Sequence, residues 1–222
     1  MNTMKPALFL TVAFILGCGA GKSEPTNKQL CADGSGPDKA CFEYGMELVR
    51  DGSDIEQAVQ RLEGACRGGN TPAACFEIGV LYRDDEPPAR DDRKARTFFA
   101  MGCDSGDAAS CANQGVMLLT GEGTNKPNLA QAEKLMKRGC DGDVNWACKN
   151  LGLTYYDGGF GSVDVGKAVA ALTKGCDLDD GPSCGALAEL YDKGTGTTAD
   201  PGKAAELRKK SCDLGHQFAC NK

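Results

Sequence analysis

The chain has one histidine, His216, and one tryptophan, Trp146; aromatic residues make up 6% of it. It has no basic excess, with 25 Lys and Arg against 31 Asp and Glu. Each scarcity closes off a class of function. A lone imidazole cannot build a multi-His zinc site and leaves little for His-based catalysis. A formal charge of −6 offers no cationic surplus to neutralise phosphates, which argues against nucleic-acid binding. Long apolar runs are also missing. The unbroken stretch Ala7–Leu16 holds ten residues, enough for the core of a secretion signal and too few to cross a bilayer as a helix. Cysteine, by contrast, is abundant: 13 among 222 residues, too many for a reducing cytosol unless they bind metal.

The N-terminus reads as an export signal with one positive charge, Lys5, ahead of the apolar run. The run ends Ile15-Leu16-Gly17-Cys18, which resembles a bacterial lipobox, where cleavage precedes a diacylated cysteine. Setting Cys18 aside leaves twelve cysteines, an even number. Acyl chains on Cys18 anchor the protein to a membrane. By resemblance to bacterial lipoproteins, Gly rather than Asp at position 19 favours the outer membrane, facing the periplasm or the cell surface. The expected organisation is a signal peptide over 1–17, a flexible tether over 18–30 and a repeat domain over 31–222.

The repeat is written in the cysteines, which fall in pairs: Cys31/Cys41, Cys66/Cys75, Cys103/Cys111, Cys140/Cys148, Cys176/Cys184 and Cys212/Cys220. The first members recur every 35 to 37 residues, and other columns keep phase. Four residues after the second Cys stand Gly45, Gly79, Gly115, Gly152 and Ala188; seven after it, Leu48, Tyr82, Leu118, Tyr155 and Tyr191. Eight before the next pair stand Ala58, Ala95, Ala132, Ala168 and Ala204; twelve before it, Asp54, Asp91, Asn128, Asp164 and Asp200. Asp or Asn at a helix start is an N-cap that accepts bonds from free amides. Repeated Gly and Ala let two helices approach closely, and a residue three after the Gly stays on the same face. Each repeat is therefore read as two antiparallel helices, for example Ala108–Thr120, a loop Gly121–Pro127, then Asn128–Cys140. One such pair cannot bury its face, so about five of them stack into an all-α, right-handed α/α solenoid.

Twelve cysteines allow thousands of pairings. In the repeat reading one Cys ends a helix B and the next opens the following helix A, so each pair meets across a short turn. A spacing of eight suits zinc poorly, and no metal is expected. Asp141-Gly-Asp-Val-Asn145 resembles the start of a calcium loop, but Trp146 and Gly152 stand where Gly and Glu are needed, so it reads as a turn and N-cap. His216 reads as a surface or capping residue in the last turn; Phe98, Phe99 and Trp146 read as core.

The segments Cys148-Lys-Asn-Leu-Gly-Leu-Thr-Tyr-Tyr-Asp-Gly and Asp164-Val-Gly-Lys-Ala-Val-Ala-Ala-Leu-Thr-Lys-Gly-Cys176 resemble Sel-one-like repeats. The Cys pairs are similar to the cysteine-rich subgroup typified by the Helicobacter cysteine-rich proteins. The resemblance runs over about 41–220. It implies a TPR-like superhelix with disulfides between successive repeats, acting as a monomeric, non-catalytic scaffold for an envelope protein or peptide. It also carries an alternative, since some cysteine-rich relatives are described as penicillin-binding or weakly β-lactamase-like. The residues that serine β-lactamases use are missing: no Ser has a Lys three residues on, and Ser-Asp-Asn and Lys-Thr-Gly are absent. No cofactor is expected.

By analogy with TPR-like solenoids, helix A lines a groove at one, five and eight residues after the second Cys. The resulting candidates are Phe42, Met46, Phe76, Val80, Arg83, Val116, Leu119, Lys149, Leu153 and Tyr156. An apolar stripe rimmed by charge suits a peptide or protein segment; the alternative is that these side chains pack against neighbouring repeats. At the C-terminus the sixth helix A is barely begun. There the Cys212/Cys220 pair pins a short cap, or the open edge is a docking surface.

Overall fold

The structure is a computed structural model and describes residues 26–31, 38–84 and 89–220. The expected leader over 1–17 and the expected lipidation site Cys18 lie outside these residues. Among the described residues every regular element is helical, and no helix is long and apolar enough to cross a membrane. A first turn, α1 (Asn27–Leu30), is followed by five hairpins. The first helices of the hairpins are α2 (Asp38–Asp51), α4 (Pro72–Arg83), α6 (Ala108–Thr120), α8 (Asn145–Asp157) and α10 (Gly181–Lys193). Their partners are α3 (Ile55–Gly68), α5 (Asp92–Asp104), α7 (Leu129–Asp141), α9 (Val165–Asp177) and α11 (Pro201–Asp213). A short α12 (Gln217–Cys220) closes the order. Each helix packs chiefly on the one before it and the one after it, the one-dimensional stacking of a solenoid.

The repeated columns act as their chemistry requires. Asp54, Asp91, Asn128, Asp164 and Asp200 are all N-caps, each accepting from a backbone N–H two or three residues on at 2.9–3.2 Å. The alanine column is fully buried, at 0% exposure in all five repeats. A Cβ placed on Gly115 would meet the Met136 backbone nitrogen at 2.8 Å, so α6 lies on α7 at a distance only glycine permits.

Six disulfides join the pairs Cys31–Cys41, Cys66–Cys75, Cys103–Cys111, Cys140–Cys148, Cys176–Cys184 and Cys212–Cys220. The middle four span the turns between successive hairpins, the first joins the end of α1 to α2, and the last joins α11 to α12; the α carbons lie 4.5–4.9 Å apart. In the last five bridges, the residue three after the first cysteine lies in the left-handed region: Gly69, Gly106, Asp143, Asp179 and Gly215. Asp tolerates that conformation better than most side chains.

Three local readings change. The end of the expected tether is helical: Asn27–Leu30 is closed by a Thr26–Gln29 capping box, and Asn27 Nδ2 donates to Glu43 at 2.7 Å. The Asp141–Asn145 segment is a turn, but its N-cap residue is Val144, whose side chain can accept no bond. Asp107 and Asp180 do the capping at that position in the neighbouring repeats. Trp146 is half-buried rather than core, whereas Phe98 and Phe99 are 3% and 0% exposed.

Candidate functional site: the face of the first helices

The first helices of successive hairpins form one face of the solenoid. Across three of them, α4, α6 and α8, lies a cavity of about 430 Å³. Phe76, Val80 and Arg83 wall it from α4, Val116 and Asn113 from α6, and Trp146 and Asn150 from α8; Glu77 stands at its edge. Four candidates named above, Phe76, Val80, Arg83 and Val116, are thus brought together. Phe76 and Val80 also pack on the buried core beneath, as do Phe42 and Met46 one repeat earlier. Groove lining and packing against neighbours are therefore properties of the same half-buried side chains.

The other candidates lie outside this cavity. Leu119 and Tyr156 are half-buried against the cores of the middle and later repeats. Lys149 is half-buried and Leu153 is 38% exposed. In the fifth repeat Gly185 occupies the place of Phe42 and Phe76, and the His216 ring fills the space, with Nδ1 3.2 Å from where a Cβ would stand. His216 Nδ1 lies 3.1 Å from the Ser211 hydroxyl, which donates to the Gly181 carbonyl at 2.6 Å. With its hydrogen given to Gly181, the Ser211 oxygen is the acceptor for His216 Nδ1–H, so the pair is a structural hydrogen bond tying the last turn to α11 and α10.

Polar groups in the cavity are placed with care. The Arg83 guanidinium donates to Asn113 Oδ1 and sits 5.8 Å from the centre of the Phe99 ring. Asn113 Nδ2 donates to the Ala109 carbonyl at 3.0 Å, which sets the amide's orientation. Burial pushes the Glu77 carboxyl above its ordinary range, and the negative charge of Asp107 adds to the rise. The site therefore offers aromatic and aliphatic walls, a fixed cation, the Asn150 carboxamide and a carboxyl held above its ordinary range, while Asn113, 5% exposed and bonded at both its oxygen and its nitrogen, fixes the Arg83 guanidinium. This is equipment for holding a chain segment, with polar groups beside apolar pockets. Among the described residues no cluster of His, Cys, Asp and Glu could hold a metal ion.

Sequence reasoning missed Glu77, Asn113, Asn150 and Trp146. The signal was present: the column two after the second Cys reads Glu43, Glu77, Asn113, Asn150, Ala186, polar in four repeats of five. Trp146 stands four residues before Asn150, on the same stripe of α8. The trough has two walls. The upstream helix presents the column containing Phe76 and Val80, and the downstream helix presents the flank with Trp146 and Asn150.

Tandem matches to the Sel1 repeat cover residues 72–107, 108–144, 147–180 and 182–216, more than half of the chain. The chain belongs to the Sel1 repeat family. A Sel1 repeat protein from Oxalobacter formigenes matches with a TM-score of 0.72 and 25% identity, over 82% of this chain and 73% of that one. A protective antigen of uropathogenic Escherichia coli strains, displaying an SLR fold, matches with a TM-score of 0.77 and 21% identity, over 87% of this chain and 41% of that one. That second likeness concerns the fold alone. Human cytochrome c oxidase assembly factor 7 is 26% identical over 134 residues, 58% of this chain and 58% of its own length. The chain thus spans less than two thirds of that relative. A Sel1 scaffold fits a protein-interaction role and is generally non-catalytic. Six disulfides call for an oxidising, extracytoplasmic compartment.

Proposed function

We propose that this protein is an exported, lipid-anchored scaffold of a bacterial envelope that holds a protein or peptide segment without chemistry. The observation that carries the reading is the cavity spanning α4, α6 and α8, where Phe76, Val80, Val116 and Trp146 meet Arg83, Asn113 and Asn150. An extended segment laid across successive first helices would set apolar side chains in these walls and its backbone against the Asn150 amide. The lipobox at Ile15–Cys18 supports anchoring, and the disulfides support export. A relative named as an assembly factor agrees with a scaffold that holds other proteins. No observation favours the β-lactam alternative.

The test is in-cell crosslinking and capture of the tagged, lipidated protein beside a Phe76→Glu, Trp146→Glu variant shown to fold. The expected result is an envelope protein captured by the wild type and lost in the variant, together with palmitate labelling that disappears in Cys18→Ala. Equal capture by both proteins would refute the assignment to this groove.

A further inference from the structure

A second cavity, of about 380 Å³, opens between α7 and α9 on the other flank of α8. Leu151, Tyr155 and the Cys140 end of a disulfide form its floor, and Ala170 and Ala171 form one wall. Lys137, Lys167 and Lys174 stand around it, beside Glu133 and Asp141.

The repeat explains why this space exists. Five residues before the first Cys of each successive pair stand Arg61, Phe98, Leu135, Ala171 and Leu207, and only Ala171 is small. In the second hairpin Phe98 lies nearly parallel to Tyr82, at 4° with ring centres 5.9 Å apart, and the Arg67 guanidinium sits 5.7 Å from its centre. The trough above Phe98 is lined by charged and polar side chains, among them Glu63, Arg67 and Lys94, and does not reach Tyr82. In the fourth hairpin Tyr155 is the counterpart of Tyr82, Asp141 of Arg67 and Lys167 of Lys94. Lys167 Nζ lies over the Tyr155 ring at 4.9 Å, as Lys94 Nζ lies over Tyr82 at 4.6 Å. The frame is the same and the Phe98 ring is missing from it, so a cavity reaches Tyr155.

We propose that this cavity binds a small aromatic carboxylate. Its ring lies beside Tyr155, where Phe98 lies beside Tyr82, and its carboxylate sits among the lysines. The volume falls in the range of small-molecule sites, about 300–1,000 Å³, and such sites are apolar with a few placed charges. Three cations stand among four anions: Lys167 is paired with Glu133 and Asp164, Lys174 with Asp143, and Lys137 with Asp141. Lys137 is held only by an exposed contact to Asp141, their side chains 60% and 58% exposed, and such a pair re-forms readily with another anion. Leu151, Tyr155 and Ala171 are only 4%, 5% and 7% exposed. The occupant must therefore slip beneath the lysine stems, which a free small molecule does more easily than a side chain tethered to a partner's backbone.

The test is an NMR titration of the full disulfide-bonded protein with 3-phenylpropionate. Its amide serves as the uncharged control and N-acetylphenylalanine amide as the stand-in for a partner's side chain. Expected are saturable shifts confined to α7, α8 and α9, with the carboxylate binding best. Ala171→Phe rebuilds the Phe98 arrangement. It should weaken binding at least about tenfold while leaving the thermal midpoint unchanged or higher. Should that variant misfold, Ala171→Leu, matching Leu135 and Leu207, takes its place. Lys137→Gln should erase the preference for the carboxylate over the amide. No binding, shifts elsewhere, undiminished binding to the filled variant, or tighter binding of either uncharged probe overturns the proposal. The cavity shares α8 with the groove across α4, α6 and α8 but none of its lining residues, so either assignment can fail alone.

Discussion

Gly115 and Gly64 both lie inside helices, yet alanine should act in opposite directions at the two. Replacing Gly by Ala within a helix gains about 1 kcal/mol of backbone propensity at either site. At Gly64, exposed on α3, nothing lies within 4 Å of the added Cβ, so that gain is kept. At Gly115 the Cβ would stand 2.7 Å from Met136 Cγ, 2.8 Å from the Met136 nitrogen and 3.1 Å from the Ala132 carbonyl oxygen. Side-chain atoms can rotate away, but backbone atoms cannot, so α6 and α7 must part by a few tenths of an ångström. Ala132 and Met136, both within 1% of fully buried, lose contact along that seam. Overpacking of this kind costs about 3 kcal/mol at the upper end of its usual range, leaving a net loss of about 2 kcal/mol after the propensity gain. For a chain of this size each kcal/mol moves the midpoint by about 2–4 °C. Thermal unfolding of the oxidised protein followed by far-ultraviolet circular dichroism should show Gly115→Ala lower by about 4–8 °C and Gly64→Ala higher by about 2–4 °C. A Gly115→Ala protein as stable as wild type would refute the close-approach argument for the whole glycine column.

Asp164→Ala should cost about 1 kcal/mol in denaturant unfolding, and Asp164→Asn, the residue found at position 128, should restore most of it. Alkylation without reduction should leave all twelve bridged cysteines unmodified by mass. Under mild dithiol the Cys212–Cys220 bridge should open first, because Cys220 is exposed while the other five pairs are buried. Replacing Cys140 and Cys148 by Ser removes a buried bridge closing a short loop and should cost about 2.5 kcal/mol in the same unfolding assay. Burial and the hydrogen bond donated to Glu133 raise the Tyr155 hydroxyl above its ordinary value of 10.0. The neutral form is favoured by folding, so this contribution is whole below pH 10 and is lost as pH rises beyond it. Unfolding free energy measured between pH 9 and 11 should fall with pH, and more shallowly in Tyr155→Phe.

The solenoid was legible because its signals are local and repeated. Asp54 through Asp200 cap helices by bonds to amides two or three residues away, which depend on nothing distant. The cysteine pairs meet because only a short turn separates them. Ala108–Thr120 falls where the periodicity places it. Legibility faded where two helices share a job. The column of Phe76 and Val80 was found because it lies on one helix. Asn113, Asn150 and Trp146 were missed because they belong to the wall that the next helix supplies. Trp146 was taken for core on residue type alone.

The sequence by itself determined the repeat, its helices, its caps and its disulfide partners, since a 35 to 37 residue period leaves one consistent way to bury the apolar faces. Only the tertiary structure decided which half-buried side chains converge. Whether Phe76 faces Trp146, or whether Ala171 leaves a cavity beside Tyr155, depends on how far apart and at what rotation neighbouring hairpins stack. That spacing is set by glycine and alanine contacts summed across the whole array.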